Sequence, residues 1–219
     1  MAVVAPIANF GLIQRLVVDS DAAATVKNIA ASDATFRVGI VGLLLVAALD
    51  VIVAWALYFF FERSHRSLSL LAALWRLVYA AMFAASSNEL LAVSRALGST
   101  GPWSALEPAT RSALAMQHLA AFQSGWDMAL VVFGLHLLVL GALAFESGYV
   151  PRYLGALLSV AGLGYLVDGV GKTLSPSYGL SVAAFTFIGE VVLIFWLLIK
   201  GWRVPEESQA SARYVLPWG

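Results

Sequence analysis

The chain has 219 residues, with 13 Lys and Arg balanced by 13 Asp and Glu, no Cys, and 61% hydrophobic residues. Its charged fraction of 12% is about half the roughly 25% of a soluble globular domain, so there is too little polar side chain to cover a water-facing surface, and a bilayer is the solvent that this composition implies. A net charge of zero provides no basic patch for phosphate, which argues against nucleic acid as a partner; the lack of Cys removes disulfides, zinc thiolates, iron–sulfur clusters and thiol nucleophiles together.

In chain order, residues 2–13 are apolar but too few to cross a hydrocarbon core. A signal peptide is one reading, with Ala22-Ala23-Ala24 imitating a cleavage site. However, a signal peptide carries its basic region ahead of the apolar run, and here Arg15 follows it. The preferred expectation is therefore a shortened first helix ending near Val18. The polar, alanine-rich segment that follows predicts a surface helix near 21–36, with Asp21 and Asp33 as capping residues.

Five stretches then reach the roughly 20 apolar residues that a spanning helix needs: 38–61, 68–92, 126–146, 152–172 and 179–200. They are separated by polar or helix-breaking residues, among them Glu62-Arg63-Ser64-His65-Arg66, Gly98 to Pro102, Glu146 to Pro151 and Ser175-Pro176-Ser177. Such runs exceed strand length, and the alternation of an outer-membrane barrel is missing. A second surface helix is predicted near 107–124 from Met116, Leu119 and Phe122 at helical spacing beside Gln117, His118 and Gln123, with Ser124-Gly125-Trp126 as the turn into the membrane. The expected fold is an all-α, polytopic transmembrane helical bundle of five full spans plus a short N-terminal apolar helix, forming one domain over 1–203 with a polar tail at 204–219. Arg63, Arg66, Arg152, Lys200 and Arg203 sit in short connections on one side, which places the C-terminus in the cytoplasm.

Ala24-Thr-Val-Lys-Asn-Ile29, Phe36-Arg-Val-Gly39, Phe133-Gly-Leu-His-Leu-Leu-Val-Leu-Gly141, Pro151-Arg-Tyr-Leu-Gly155, Gly162-Leu-Gly-Tyr-Leu-Val-Asp168, Gly189-Glu190 and Trp196-Leu-Leu-Ile-Lys-Gly201 occur in one order. Each motif is weak alone, but the series, from about residue 20 to 203, resembles a bacterial integral membrane family, the domain-of-unknown-function family numbered 4386. That resemblance implies a six-helix protein of the bacterial inner membrane with a complete first helix, where this chain starts part-way through one. It also implies an acid after Arg-Leu-x, where this chain has Tyr79 following Arg76-Leu77-Val78. It carries over no catalytic residues.

An ionisable side chain near a helix centre costs roughly 2.5 to 3.5 kcal/mol in hydrocarbon, so each one needs a partner or a cavity. Asp50, His136 and Glu190 fall near mid-span. Glu89, Asp127, Asp168 and Lys172 fall toward the non-cytoplasmic ends, and Arg76 toward the cytoplasmic end, so the interior carries an acid excess. Asp50 and Glu190 are the catalytic candidates as proton donors, since burial favours a neutral carboxyl, with His136 as partner or base. Their bland alternatives are hydrogen bonds within the bundle; for Glu190 the nearest such partner is Thr186, one turn earlier. Asp168 and Lys172, four apart, are expected to pair along one helix face. Asp127 and His136 are nine apart and point to opposite faces of their helix. Trp55, Tyr79, Phe83, Asp127, Tyr165 and Asp168 are the candidate substrate-binding residues, with Tyr58, Phe133 and Phe187 as further aromatic candidates for a pocket taking a hydrophobic substrate. The same aromatics would otherwise be packing or interfacial residues.

No cofactor is implied. Gly169-Val-Gly-Lys-Thr173 ends like a phosphate loop, but Leu166 stands where the motif needs Gly. His118 and His136 are about 27 Å apart along a straight helix, too far to clamp one haem iron. No HExxH or GxSxG occurs, and no spacing marks a metal site. Gly155, Ser159, Gly162 and Gly169 suit tight helix contact, within the bundle or in a homodimer. The expected function is a bundle that binds a hydrophobic, lipid-like or isoprenoid-like ligand in an acid-lined intramembrane pocket, as an acid-catalysed enzyme. The alternatives are a small proton-coupled transporter and a non-catalytic membrane partner or sensor.

Overall fold

The computed structural model describes residues 4–18, 21–175 and 177–201; the expected tail at 204–219 lies outside them. A helical segment over 4–16, α1, comes first, wound loosely as π-helix over Ile7–Ile13 and tightly at Gln14–Leu16. At roughly 20 Å it is too short to span. α2, Ala22–Ala31, begins at the expected cap, where Asp21 Oδ1 accepts from the Ala24 amide at 2.8 Å. Asp33 does not cap the next helix. Its carboxylate accepts instead from Arg37 at 2.7 Å and from Ser94, which ties the two ends of the following hairpin together.

Helical hydrogen bonding continues over Asp33–Leu97, 65 residues, which would measure about 98 Å if straight. It is not straight, because His65 adopts an extended backbone (φ −155°, ψ 98°) and the chain reverses there. The His65 side chain stabilises the reversal by accepting from the Leu68 amide at 3.2 Å, acting as an N-cap for the returning helix. Ser69 Oγ donates to the Tyr58 carbonyl at 2.8 Å across the turn. The two arms, 33–64 (α3) and 66–97 (α4), are the first two expected spans.

α5, Pro108–Glu146, is a single helix of 39 residues and replaces the expected surface helix, turn and span. The expected turn rested on Gly125, whose role is different. A Cβ there would come within 3.0 Å of the Ser86 Cβ, so this glycine allows α5 to approach α4 closely. At about 58 Å, α5 extends well past a hydrocarbon core, and its first turns meet α2 and the far ends of α3 and α4 in a polar cap. There Arg111 donates to the Ala96 and Gly98 carbonyls and His118 meets Glu89 at 2.6 Å. At the opposite end, Tyr149 donates to the Phe60 carbonyl at 2.7 Å. Burial pushes its phenol up to about 12 against the opposing charge of Arg63.

α6, Arg152–Leu174, lies along α5 with glycines facing each other. A Cβ on Gly134 would sit 2.8 Å from the Gly162 carbonyl oxygen, and one on Gly162 would sit 2.7 Å from that of Gly134; Gly141 and Gly155 repeat the arrangement. The Gly155, Ser159 and Gly162 face is thus used inside the bundle. In a bilayer, where apolar side chains gain little by leaving lipid, such backbone contact supplies the dispersion that holds helices together.

α7, Ala183–Lys200, closes the fold. It packs mainly on α6 and stands off the α3–α4 hairpin, with Phe185, Phe195, Leu198 and Ile199 left exposed. Leu44, Leu45, Trp55 and Val160 are likewise exposed on the outer faces of their helices, as lipid-facing side chains should be. The five long apolar helices and the short α1 make the expected all-α bundle.

Replacing Gly162 with Ala should wedge α5 from α6 and destabilise the bundle by about 1–3 kcal/mol, the range for overpacking a tight contact. Gly179→Ala, where nothing lies within 4 Å of the added Cβ, should change stability by less than about 0.5 kcal/mol. Thermal melts of both variants in detergent, compared with the wild type, measure the difference.

Candidate functional site

The buried polar centre is built where α3, α4 and α5 meet. Measured from the His65 reversal, Asp50 lies about 22 Å back along α3 and Arg76 about 16 Å forward along α4, so the long arginine side chain spans the difference in depth. Its Nε and Nη2 both donate to Asp50 Oδ1, at 3.0 and 2.6 Å, and its Nη1 donates to His136 Nε2 at 3.2 Å. Asp50, Arg76 and His136 are all at most 5% exposed.

The hydrogen bonds also fix the histidine tautomer. His136 Nδ1 lies 2.8 Å from the Ala72 carbonyl, which can only accept, so Nδ1 carries the proton; Nε2 must then be the acceptor, since guanidinium can only donate. Both ring nitrogens are therefore engaged, and the ring is a neutral link between α4 and α5. Arg76 thus stands between His136 and Asp50 and occupies the lone pair that His136 would need as a base. Asp50 is likewise the counter-ion of Arg76, which is a different task from donating a proton.

Phe133 lies under the guanidinium, 5.3 Å from Cζ to the ring centroid, a cation–π contact that favours the charge where water is absent. It also joins an aromatic column in which Tyr79 packs at 4.7 Å and Tyr165 at 5.6 Å between centroids, and Phe83 continues from Tyr79 to Trp126.

Two cavities flank α7, which packs mainly on α6 and stands off the α3–α4 hairpin. The first, about 430 Å³, lies between α7 and the centre; Val53, Leu57, Leu137, Leu158 and Leu193 form its apolar walls, with Arg76 and Glu190 among the lining groups. The second, about 580 Å³, lies between α7 and α1 and is lined by Asn9, Phe10, Trp126, Tyr165, Phe187 and Glu190, among others. Glu190 and Ile194 line both. Glu190 Oε1 is buried without a hydrogen-bond partner, as is Thr186 Oγ1, so the expected link between these two side chains is absent. Thr186 is instead pressed against Gly164.

The other acids of the apolar helices are accounted for in place. Asp127 pairs with Lys172 at 2.9 Å, across α5 and α6, so Lys172 does not pair with Asp168 as its four-residue spacing suggested. Asp168 accepts from the amides of Val182 and Ala183 at 3.0 and 2.7 Å and from the Tyr178 hydroxyl at 2.8 Å, which anchors the start of α7 to α6. Glu89 meets His118. Glu190 is bonded by the Tyr165 hydroxyl and lies within the field of Arg76; among the described residues it is the one of the five acids with no close ion pair and no capping role. Of the aromatic candidates, Tyr165 and Phe187 line the second cavity and Phe133 the first. Tyr79 and Phe83 belong to the column behind them, and Trp55 is exposed on the lipid side against Phe59.

Arg76 and Asn9 are the residues that the sequence reading did not bring to the site. Arg76 had a legible signal, since an intramembrane acid at Asp50 requires a cation at similar depth on the next helix. Asn9 had none, because its burial depends on α1 folding against α3. Among the described residues no three His, Asp or Glu side chains converge as a metal site would require.

Residues 1–201 match the family described as "Domain of unknown function (DUF4386)". The chain is similar to an uncharacterised protein of Archaeoglobus fulgidus, 36% identical over 167 residues that cover 76% of this chain and 86% of the relative. No solved structure matches.

Arg76→Met removes one member of a buried pair and leaves Asp50 uncompensated, and should destabilise the bundle by about 3–5 kcal/mol. Asp50→Leu together with Arg76→Met removes both charges and should recover most of that loss. A double-mutant cycle of thermal melts in detergent checks the coupling; additive effects of the two substitutions would refute it.

Proposed function

Because the chain belongs to the DUF4386 family, for which no activity is assigned, we propose a function from its geometry: it is a multi-pass membrane protein that holds a hydrophobic, lipid-like molecule beside α7, with Glu190 as the group that engages the molecule's polar end. The observation carrying this reading is the position of Glu190, an acid at membrane depth that lines both cavities and has a buried oxygen without a partner. Intramembrane ionisable groups are expensive; the bundle supplies Glu190 with the Tyr165 hydroxyl as a partner, and a ligand that pairs with the remaining oxygen explains why Oε1 has none.

The size and lining support the same reading. About 430 Å³ walled by Val, Leu and Phe, with a few convergent polar groups, falls within the range of small-molecule sites. The polar groups divide their tasks: Arg76, Asp50 and His136 hold the helices in register, and Glu190 is free to accept or exchange a proton with the ligand. This makes Glu190 the candidate acid if the molecule is turned over. Asp50 serves that chemistry by neutralising Arg76.

The bilayer in this proposal is the bacterial cell membrane, with the C-terminus on its cytoplasmic side. The His65 reversal, the 147–151 connection and Lys200 share one end of the bundle, and those short segments carry Arg63, Arg66 and Arg152, the pattern of a cytoplasmic face.

Gentle extraction followed by native mass spectrometry tests the reading. Wild-type protein should retain an apolar adduct. Val53→Trp, which fills the first cavity from a half-buried position, should lose it. Glu190→Gln should retain it about tenfold less well, as expected for losing a hydrogen bond to a charged partner, with unchanged melting. Adduct-free wild type, or identical adducts in all three proteins, would overturn it.

A further inference from the structure

Three residues that line the second cavity each carry a buried polar atom without a partner. Asn9, on α1, is 5% exposed, and its Oδ1 has no hydrogen-bond partner. Trp126, on α5, has a buried Nε1–H without an acceptor, and Glu190, on α7, has Oε1 without a donor. All three residues line the same 580 Å³ space, and they come from three separate elements. Leaving a buried polar group unpaired costs on the order of 1–3 kcal/mol, so three around one cavity mark a place where an absent molecule completes the bonding.

The chemistry of that molecule follows from the donor and acceptor inventory. Asn Oδ1 only accepts, indole N–H only donates, and the free Glu190 oxygen is an acceptor when the carboxyl is ionised. A primary ammonium could donate to Asn9 and Glu190, but it has no lone pair for Trp126. A carboxylate or phosphate could accept from Trp126, but it cannot donate to the two acceptors and would lie beside the Glu190 carboxyl with like charge. Hydroxyls do both: two of them can donate to Asn9 and Glu190 while one of their oxygens accepts from Trp126.

The rest of the lining shows how such a molecule would enter. Phe10 and Phe187 line the cavity and are also exposed on the outer surface of the bundle. The mouth between α1 and α7 is therefore apolar and faces the hydrocarbon, which suits lateral entry of a lipid.

We propose that Asn9, Trp126 and Glu190 form a head-group subsite for an uncharged, hydroxyl-bearing single-chain lipid of the monoacylglycerol or long-chain diol class. This rests on the reading above for the chain, which lies in the first cavity and reaches the head group past Glu190.

The test uses the full chain in detergent and measures affinity for four probes with one oleoyl or oleyl chain: 1-monooleoylglycerol, oleylamine, oleate and oleoyl lysophosphatidate. The glycerol head should bind about tenfold or more tightly than the other three. Asn9→Leu and Trp126→Phe should each weaken monooleoylglycerol about tenfold, and Trp126→Phe, which removes the one group an ammonium cannot satisfy, should weaken oleylamine less than twofold. Asn9→Leu should also raise the melting temperature of the ligand-free protein, because it removes a buried acceptor that has no partner. Equal affinity for the four probes, or unchanged monooleoylglycerol binding in both variants, would overturn the head-group assignment. Val53→Trp separates the two readings. If it abolishes binding of all four probes while the probes show no head-group preference, the chain cavity stands and the subsite falls; if it changes nothing while Asn9→Leu still discriminates, the subsite stands and the chain does not occupy the first cavity.

Discussion

A guanidinium cannot lose its charge in the bilayer, so the fold must surround Arg76 with acceptors at whatever depth the sequence places it. Asp50 neutralises it, His136 accepts from its remaining nitrogen, and the Phe133 ring lies beneath it. These contacts set the register of α3 against α4 and fix the height of α5 beside both, because a slip of one turn, about 5.4 Å, would separate every partner. The neutral tautomer of His136 is a consequence of the same centre, as the ring accepts from a cation on one side and donates to the Ala72 carbonyl on the other.

With that register set, α5 carries α6 by glycine-to-carbonyl contact, and α6 carries α7 through Asp168 at its start and Gly189 against the Leu157 backbone. The last helix is thus positioned mainly from the α6 side. Toward the hairpin it makes an edge contact of Trp196 with Phe60, 6.4 Å between centroids; apolar side chains are as well solvated by lipid as by protein, and the cavities on its two flanks follow from that. Glu190 lies on this helix, with the Tyr165 hydroxyl as its partner and Oε1 without one. A central triad that holds three helices tightly and a peripheral helix that leaves one carboxyl oxygen without a partner are two results of one rule: in hydrocarbon, polar contacts and close backbone packing bind, and bulk apolarity does not.

The helices themselves were legible, because a spanning helix needs only a long apolar run between polar ends, and 38–61, 68–92, 126–146, 152–172 and 179–200 each met that condition locally. The misreadings came where a residue type has two uses. Gly125 read as a turn and is a point of close approach to Ser86. Asp33 read as a cap and instead bonds Ser94, 61 residues away in sequence. Asp168 and Lys172 have the spacing of an ion pair, but each finds a better-placed partner outside its own helix. In the candidate site the acids were visible as an excess in the interior, yet which of them is left over depended on cations and amides supplied by other helices.

By itself the sequence determined the solvent, the all-α class, the number of apolar helices and the presence of more acids than bases within them. These follow from composition and from runs along the chain, which hydrocarbon reads locally. Only the tertiary structure decided that Arg76 joins Asp50 to His136, that Asp127 takes Lys172, that Asp168 secures α7, and that Glu190 remains between two cavities. Each of these is a contact between helices, set by depth, rotation and close backbone approach, and none of those three quantities is written in the order of residues along one helix.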